Sequence, residues 1–132
     1  MTAASSRVVV VSGSAGGIGT AITERFEALG DVVVGFDVAT GVDLTDPDAV
    51  ERAVDTVIAE HGRIDVLCNN AGTSAVGDIV TSTPDDWQRV FSVNVFGIAN
   101  LSRAVLPHMR AAGRGAVVNT CSVAASVGLV ER

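Results

Sequence analysis

Short apolar runs alternate with longer amphipathic stretches along this chain, which is the pattern of parallel strands joined by helices. Residues 7–12 contain a continuous run of valines, as expected of a strand that is buried on both faces. Further strands are predicted at residues 31–37, 41–44, 64–68 and 116–121. The pattern therefore predicts an α/β fold with a doubly wound parallel sheet of about five strands.

Helices are predicted at residues 17–30, 46–62 and 83–113, where apolar positions recur every three or four residues. The second and third start at an Asp-Pro and a Thr-Pro pair, in which the first residue suits the N-cap and the proline suits the first helical position. No helix fits between the strands at residues 31–37 and 41–44, so an extended loop is predicted there.

Composition restricts the classes of function. With 48% hydrophobic and 18% charged residues, the 132-residue chain is predicted to form one globular domain rather than a disordered protein. Its net charge of −6 argues against binding to nucleic acid phosphates. The longest apolar run, residues 8–11, is too short to cross a bilayer, and the N-terminus lacks a signal-peptide pattern. A cytoplasmic protein without a membrane partner is predicted.

The cysteines and histidines suggest neither a disulfide framework nor a metal site. Cys68 and Cys121 end two apolar runs and are expected to be small buried thiols. His61 and His108 have no Cys or carboxylate at the spacing of a ligand set, so no metal site is predicted.

A glycine-rich loop lies between the first strand and the first helix. Its glycines Gly13, Gly17 and Gly19 let the backbone approach a pyrophosphate closely, and the helix N-terminus directs free N–H groups at the anion. The sequence predicts a dinucleotide site here, with contacts that include Ser14 and Ile18. A glycine-rich turn that binds nothing is the alternative.

Asp37 ends the second predicted strand. A carboxylate at this distance from the glycine loop can accept hydrogen bonds from the ribose diol of adenosine. It would repel a 2′-phosphate, and no Arg stands at residues 14–16 or just after Asp37 to offset that repulsion. NAD(H) is therefore predicted over NADP(H), with an ordinary surface aspartate as the alternative.

Five ordered motifs resemble those of the short-chain dehydrogenase/reductase family. They are the glycine loop, Asp43-Leu44, Asn69-Asn70-Ala71-Gly72, residues 92–97 around Asn94, and residues 118–122, which end at Ser122. The resemblance spans almost the whole chain. It implies the N-terminal, cofactor-binding half of an oxidoreductase, with residues 1–132 as one Rossmann domain that is incomplete at its C-terminus.

For the cofactor, the resemblance implies two groups of contacts. Asp43 and Leu44 would lie against the adenine ring. Asn70, Ala71 and Gly72 would contact the cofactor just after the fourth predicted strand.

Asn94 and Ser122 are the predicted catalytic residues. Asn94 shares the apolar stripe of the last helix, so its amide needs hydrogen-bond partners. The other residues of that stripe are Trp87, Phe91, Ile98, Leu101 and Val105. The resemblance implies a kinked helix and a proton relay through bound water, whereas an amide bonded to neighbouring backbone is the alternative. By resemblance, Ser122 would hydrogen-bond the substrate carbonyl or hydroxyl.

The family transfers its proton through a Tyr and a Lys that follow the catalytic Ser. This chain contains no Tyr and no Lys, its nine basic residues all being Arg, and it stops ten residues after Ser122. The strand at residues 116–121 is consequently expected to be an open sheet edge.

The predicted function is an N-terminal portion of an NAD-dependent enzyme that acts on a small alcohol or carbonyl substrate and is inactive alone. A noncatalytic NAD-binding regulatory domain and one half of a split enzyme are the alternatives. A homo-oligomer and a complementing C-terminal chain are both left open as partners.

Overall fold

The computed structural model describes residues 6–127, which form four parallel strands in the order β2-β1-β3-β4. The strands are β1 (Val8–Ser12), β2 (Val32–Phe36), β3 (Val66–Asn69) and β4 (Ala116–Asn119). The helices are α1 (Gly17–Glu27), α2 (Pro47–His61), α3 (Pro84–Phe91) and α4 (Ile98–Ala112). A π-helical segment, Ser92–Gly97, joins α3 to α4, and short 3-10 turns occupy Val38–Thr40 and Val123–Ala125. The predicted Rossmann-type α/β fold is confirmed, and residues 1–5 and 128–132 of the predicted domain lie outside the described residues.

The sheet is covered on both faces because β1 alternates between two apolar clusters. Val8 and Val10 face a cluster that includes residues of α2 and α4, whereas Val9 and Val11 face a smaller cluster beside α1. β1 pairs in parallel with both β2 and β3, which explains why all of its residues are buried. This layering brings the carboxyl ends of β1, β3 and β4 to one edge of the sheet.

The strand predicted at residues 41–44 is absent, so the described sheet has four strands rather than five. The Asp37 side chain instead caps the 3-10 turn Val38–Thr40. Leu44 is then 7% exposed in the core, and its carbonyl accepts a hydrogen bond from the Asn100 side chain at 2.9 Å. Contact with α4 thus replaces sheet pairing in this segment.

The long helix predicted before the last strand is present, but its pitch changes midway. A π turn holds more residues than an α turn, so apolar positions on either side of the π segment do not share one face. Leu101 and Val105 are fully buried, whereas Trp87 and Phe91 are 49% and 46% exposed. The prediction of a single inward stripe is therefore wrong for Trp87 and Phe91.

By length and composition alone, the stretch Pro84–Ala112 could cross a membrane. A core helix passes the same test. Leu101, Val105 and Met109 pack in the cluster that also contains residues of β1 and α2, so the α4 part of this stretch packs on the sheet.

β4 is an edge strand whose four residues are all exposed, as the sequence predicted. Cys68, on the neighbouring β3, is buried, and this burial raises the pKa of its thiol. Cys121, just beyond β4, is exposed, contrary to the prediction. The difference arises because β3 is a central strand, while no further strand of the described sheet lies beside β4.

Candidate functional site

A cavity of about 490 Å³ opens beside the carboxyl ends of β1 and β3. Ten of the eleven predicted cofactor contacts line it: Gly13, Gly17, Ile18, Gly19, Asp37, Asp43, Leu44, Asn70, Ala71 and Gly72. Val93 from the π segment and Thr120 after β4 also line this cavity, although neither was predicted as a cofactor contact from the sequence. The fold therefore gathers four separate predicted motifs around one space.

Ser14 is the predicted contact that the structure leaves out of the cavity lining. It packs against β2, where a Cβ added to Gly35 would lie 2.8 Å from the Ser14 Cβ. Its carbonyl accepts a hydrogen bond from Thr20 Oγ1 at 3.2 Å. Ser14 thus helps to hold the loop against the sheet, and its contact with a cofactor stays a prediction.

The glycine loop forms a cradle that fits a pyrophosphate. Gly13 has a φ of +66°, and a Cβ there would lie 2.8 Å from the Ala71 Cα. A Cβ on Gly19 would overlap the backbone of Gly13. Gly16 is the N-cap of α1, and no described side chain caps the helix there. Gly17 borders the cavity and leaves the first N–H groups of the helix accessible to an anion.

Two carboxylates border the end of the cavity beside β2. Asp37 Oδ2 accepts from the backbone N of Ala15 at 3.1 Å, and its Oδ1 accepts from the backbone N of Ala39 at 2.9 Å. Asp43 Oδ1 accepts from both the backbone N and Oγ1 of Thr45, each at 2.8 Å. These local bonds hold both carboxylates in place before any ligand binds.

Ser12, which sequence reasoning missed, organises the backbone after β3. It is 1% exposed, and its Oγ accepts from the backbone N of Asn70 and of Ala71, both at 3.0 Å. Asn70 Nδ2 donates to the Ser12 carbonyl at 3.3 Å, while Thr120 Oγ1 donates to Asn70 Oδ1 at 3.1 Å. Asn70 thus joins β1, β3 and the residue after β4. The sequence did offer one signal for Ser12, because it is a polar residue at the end of a strand that otherwise contains only valines.

Asn69, the last residue of β3, adds a second buried link. It is 1% exposed, and its Nδ2 donates to Ser102 Oγ at 3.2 Å and to Asn119 Oδ1 at 2.9 Å. Its Oδ1 has no partner among the described residues. These bonds tie β3 to α4 and to the end of β4, just before the predicted catalytic segment.

A second cavity of about 700 Å³ adjoins the first, and Thr73 lines both. Both predicted catalytic residues, Asn94 and Ser122, line this second cavity. The remaining lining residues are Ser74, Ala75, Gly77, Asp78, Ile79, Ser82, Asp86, Trp87, Val90 and Ala124. Residues that are 28 positions apart in sequence are therefore brought to one space beside the glycine-loop cavity.

Two carboxylates, Asp78 and Asp86, line the second cavity. Hydrogen bonds from the Thr81 backbone and side chain lower the pKa of Asp78. The Thr83 hydroxyl and backbone N–H do the same for Asp86. Both carboxylates are thus ionised at neutral pH, and Asp86 is also paired with Arg89, whose Nη2 lies 3.3 Å from its Oδ1.

Asn94 clamps the backbone of Thr73. Its Oδ1 accepts from the Thr73 N at 2.8 Å, and its Nδ2 donates to the Thr73 carbonyl at 2.8 Å. Arg89 Nη1 also donates to Thr73 Oγ1 at 3.0 Å and to the Ser74 carbonyl at 3.2 Å. The Asn94 amide is thus bonded to backbone, and its part in a proton relay stays a prediction.

Ser122 stands at the N-cap of the 3-10 turn Val123–Ala125. Its Oγ accepts from the Ala124 backbone N at 3.2 Å. Because the hydroxyl acts as an acceptor in that bond, its own proton can be donated to another oxygen. Ser122 can therefore hydrogen-bond a carbonyl or alkoxide in the second cavity.

Comparison with known sequences decides the family. A sequence profile described as short chain dehydrogenase matches residues 36–132 of this chain. The chain belongs to the short-chain dehydrogenase family. In this family member, the matched region begins at the end of β2 and includes Asp37, the Asn69-to-Gly72 motif, Asn94 and Ser122.

Relatives in sequence and in structure agree with this assignment. A meso-2,3-butanediol dehydrogenase of Serratia marcescens is 36% identical, with 89% of this chain and 53% of the relative covered. A 3-oxoacyl-[acyl-carrier-protein] reductase of Thermotoga maritima is 32% identical, with 92% and 58% covered. This short-chain dehydrogenase chain spans about half the length of the curated relatives it matches.

The solved structures show the same fold. A ligand-free aldohexose dehydrogenase of Thermoplasma acidophilum superposes with a TM-score of 0.90 at 34% identity, covering 96% of this chain and 53% of that one. An NAD⁺-bound xylitol dehydrogenase superposes with a TM-score of 0.87 at 31% identity, covering 95% and 56%. The described sheet and helices of this short-chain dehydrogenase thus match about half of each structure.

Proposed function

We propose that this chain is the cofactor-binding part of an NAD-dependent oxidoreductase of the short-chain dehydrogenase type. One observation carries the proposal. The N-terminus of α1 has no side-chain cap, and its first residue, Gly17, lines the same cavity as Asp37. A nicotinamide dinucleotide held by these residues would supply the hydride acceptor or donor. An alcohol or carbonyl compound is the proposed substrate class.

Each group at the site has a proposed task. The first N–H groups of α1 bind the pyrophosphate, and Asp37 accepts hydrogen bonds from the ribose diol. Ser122 keeps its proton and donates a hydrogen bond to the substrate oxygen, which stabilises the charge that develops there. Asn94 holds the Thr73 backbone, which separates the two cavities.

The proposal is tested by calorimetry of NAD⁺ binding to the chain and to Gly17→Ala. A Cβ on Gly17 would meet no protein atom within 4 Å, so the variant is expected to fold with an unchanged or higher melting temperature. The added methyl group would occupy space that the pyrophosphate needs. We expect NAD⁺ affinity to fall about a hundredfold, or about 2.7 kcal/mol. A wild-type chain that is folded and does not bind NAD⁺ contradicts the proposal.

The preference for NAD over NADP is proposed to depend on Asp37. Asp37→Asn keeps the shape of the side chain and removes its charge, so NAD⁺ affinity should fall about tenfold while NADP⁺ affinity rises. The measurement is the ratio of the two dissociation constants. Asp48→Asn, at an exposed position in the first turn of α2, removes the same charge elsewhere and should leave the ratio unchanged. An unaltered ratio in Asp37→Asn would remove Asp37 from this role.

We further propose that the chain alone binds cofactor without turnover. The Tyr and Lys that the family uses for proton transfer are not among its residues. The exposed β4 edge favours an enzyme completed by further polypeptide, in one chain or as a split enzyme, over a self-contained regulatory domain. Cytoplasmic location and assembly with a second copy are also proposals.

A further inference from the structure

The wall of the cofactor cavity beside Asp37 is formed by the segment that follows the first 3-10 turn. The backbone N of Val42 donates to the Asp37 carbonyl at 2.9 Å, so this segment begins directly beside Asp37. Val42, Asp43, Leu44 and Thr45 all line the cavity. A ribose whose diol is bound by Asp37 would therefore direct its base toward this wall.

A side chain of α4 holds this wall in position. Asn100 Nδ2 donates to the Leu44 carbonyl at 2.9 Å in a partly buried setting. The segment pairs with no strand of the described sheet, so this bond is a tertiary anchor for its backbone. The Leu44 side chain lies in the same core cluster as Leu101 and Val105 of α4. It therefore packs between this segment and the helix.

The close approach of the helix also depends on Gly97, at the end of the π segment. A Cβ on Gly97 would lie 3.2 Å from the Leu44 Cβ and 3.8 Å from its Cδ1. The Asp43 carboxylate accepts hydrogen bonds from the backbone N and the hydroxyl of Thr45. Because Leu44 lies between these two residues in the chain, a shift of Leu44 would also move the Asp43 carboxylate. The position of this carboxylate thus depends on two residues that do not line the cavity.

We infer that Asn100 is a positioning residue for the nucleotide base, acting through the Leu44 carbonyl on the wall that carries Asp43. The inference rests on the proposed cofactor function. A carboxylate can accept a hydrogen bond from the 6-amino group of adenine, whereas hypoxanthine presents a carbonyl oxygen at that place and is repelled. Correct placement of Asp43 should therefore appear as a preference for NAD⁺ over its hypoxanthine analogue.

The test is calorimetry of NAD⁺ and nicotinamide hypoxanthine dinucleotide on the 132-residue chain and its variants. Asn100→Leu keeps a similar volume and removes the donor. We expect it to weaken NAD⁺ about tenfold and to bring the ratio of the two dissociation constants close to unity. Arg103→Ala, at an exposed position on the same helix, is the matched control and should leave both affinities unchanged.

Gly97→Ala is a second variant that perturbs the same wall from the helix side. Alanine favours the helix, so the fold should be retained while Leu44 is displaced. We expect the ratio of the two dissociation constants to approach unity in this variant as well. If Asn100→Leu does not fold, Gly97→Ala alone tests the inference. An equal change in both dissociation constants for folded variants would mean a merely structural role and would overturn the inference.

The two proposals fail in different ways. A folded wild-type chain that binds neither dinucleotide overturns the proposed function and this inference with it. A wild-type chain that binds both dinucleotides equally overturns this inference and leaves cofactor binding intact.

Discussion

Gly19→Ala is expected to destabilise the folded chain by about 3 kcal/mol and to abolish cofactor binding. A Cβ on the buried Gly19 would overlap the Gly13 carbonyl and lie 2.7 Å from its carbon and 2.9 Å from the Ser14 Cα. All of these atoms are backbone, so no side chain can rotate to make room.

The glycine loop has no room to retreat from the added methyl group. Gly13 already lies against the Ala71 backbone, and its amide donates to the Phe36 carbonyl at 2.8 Å. The measurement is chemical denaturation followed by circular dichroism. Gly17→Ala, two residues earlier, meets no protein atom within 4 Å and serves as the matched control. Equal stability of the two variants would contradict the packing argument.

Asp65→Ala is expected to cost about 2–4 kcal/mol at neutral pH. Asp65 is 9% exposed, and its Oδ2 accepts from the buried backbone N of Val8 at 2.9 Å. Its Oδ1 is paired with Arg63 and lies 3.7 Å from Arg114 Nε. The variant leaves the Val8 N–H without its acceptor and two guanidinium groups without their shared carboxylate. Asp55→Ala, at an exposed position on α2, should change stability little.

The effect of Asp65→Ala should depend on pH. Burial acts to raise the pKa of Asp65, but hydrogen bonds from Arg63 and the Val8 N–H, with the charges of Arg63 and Arg114, outweigh it and lower the pKa. Because the folded-state pKa is depressed, the stability from ionised Asp65 is present above the ordinary carboxyl pKa. It is lost as pH falls through the folded value. The difference in free energy of unfolding between wild type and variant should therefore become smaller in acid. A difference that stays constant with pH would contradict the role of ionised Asp65.

The candidate site was largely predictable because glycine loops and strand ends have local signatures. The Gly13-to-Gly19 segment follows a valine strand and opens a helix, and Asp37 directly follows the next strand. Ser12 was missed, since its hydroxyl matters only through two amides more than 50 residues away in sequence. Asn100 was missed for the same reason: its partner, the Leu44 carbonyl, is a backbone atom with no sequence signature.

Local sequence patterns were sufficient to predict the alternation of strands and helices, the position of the glycine loop and the family to which its motifs belong. These properties follow from local periodicity and from the small set of residues that fit a tight turn. Two features could be seen only in the folded chain: residues 41–44 contact α4 and do not join the sheet, and Trp87 and Phe91 are exposed. Sheet pairing competes with distant side-chain bonds in the first case, and the π segment changes the helical phase in the second. Neither outcome is visible in a local pattern, because each depends on contacts that only the folded chain makes.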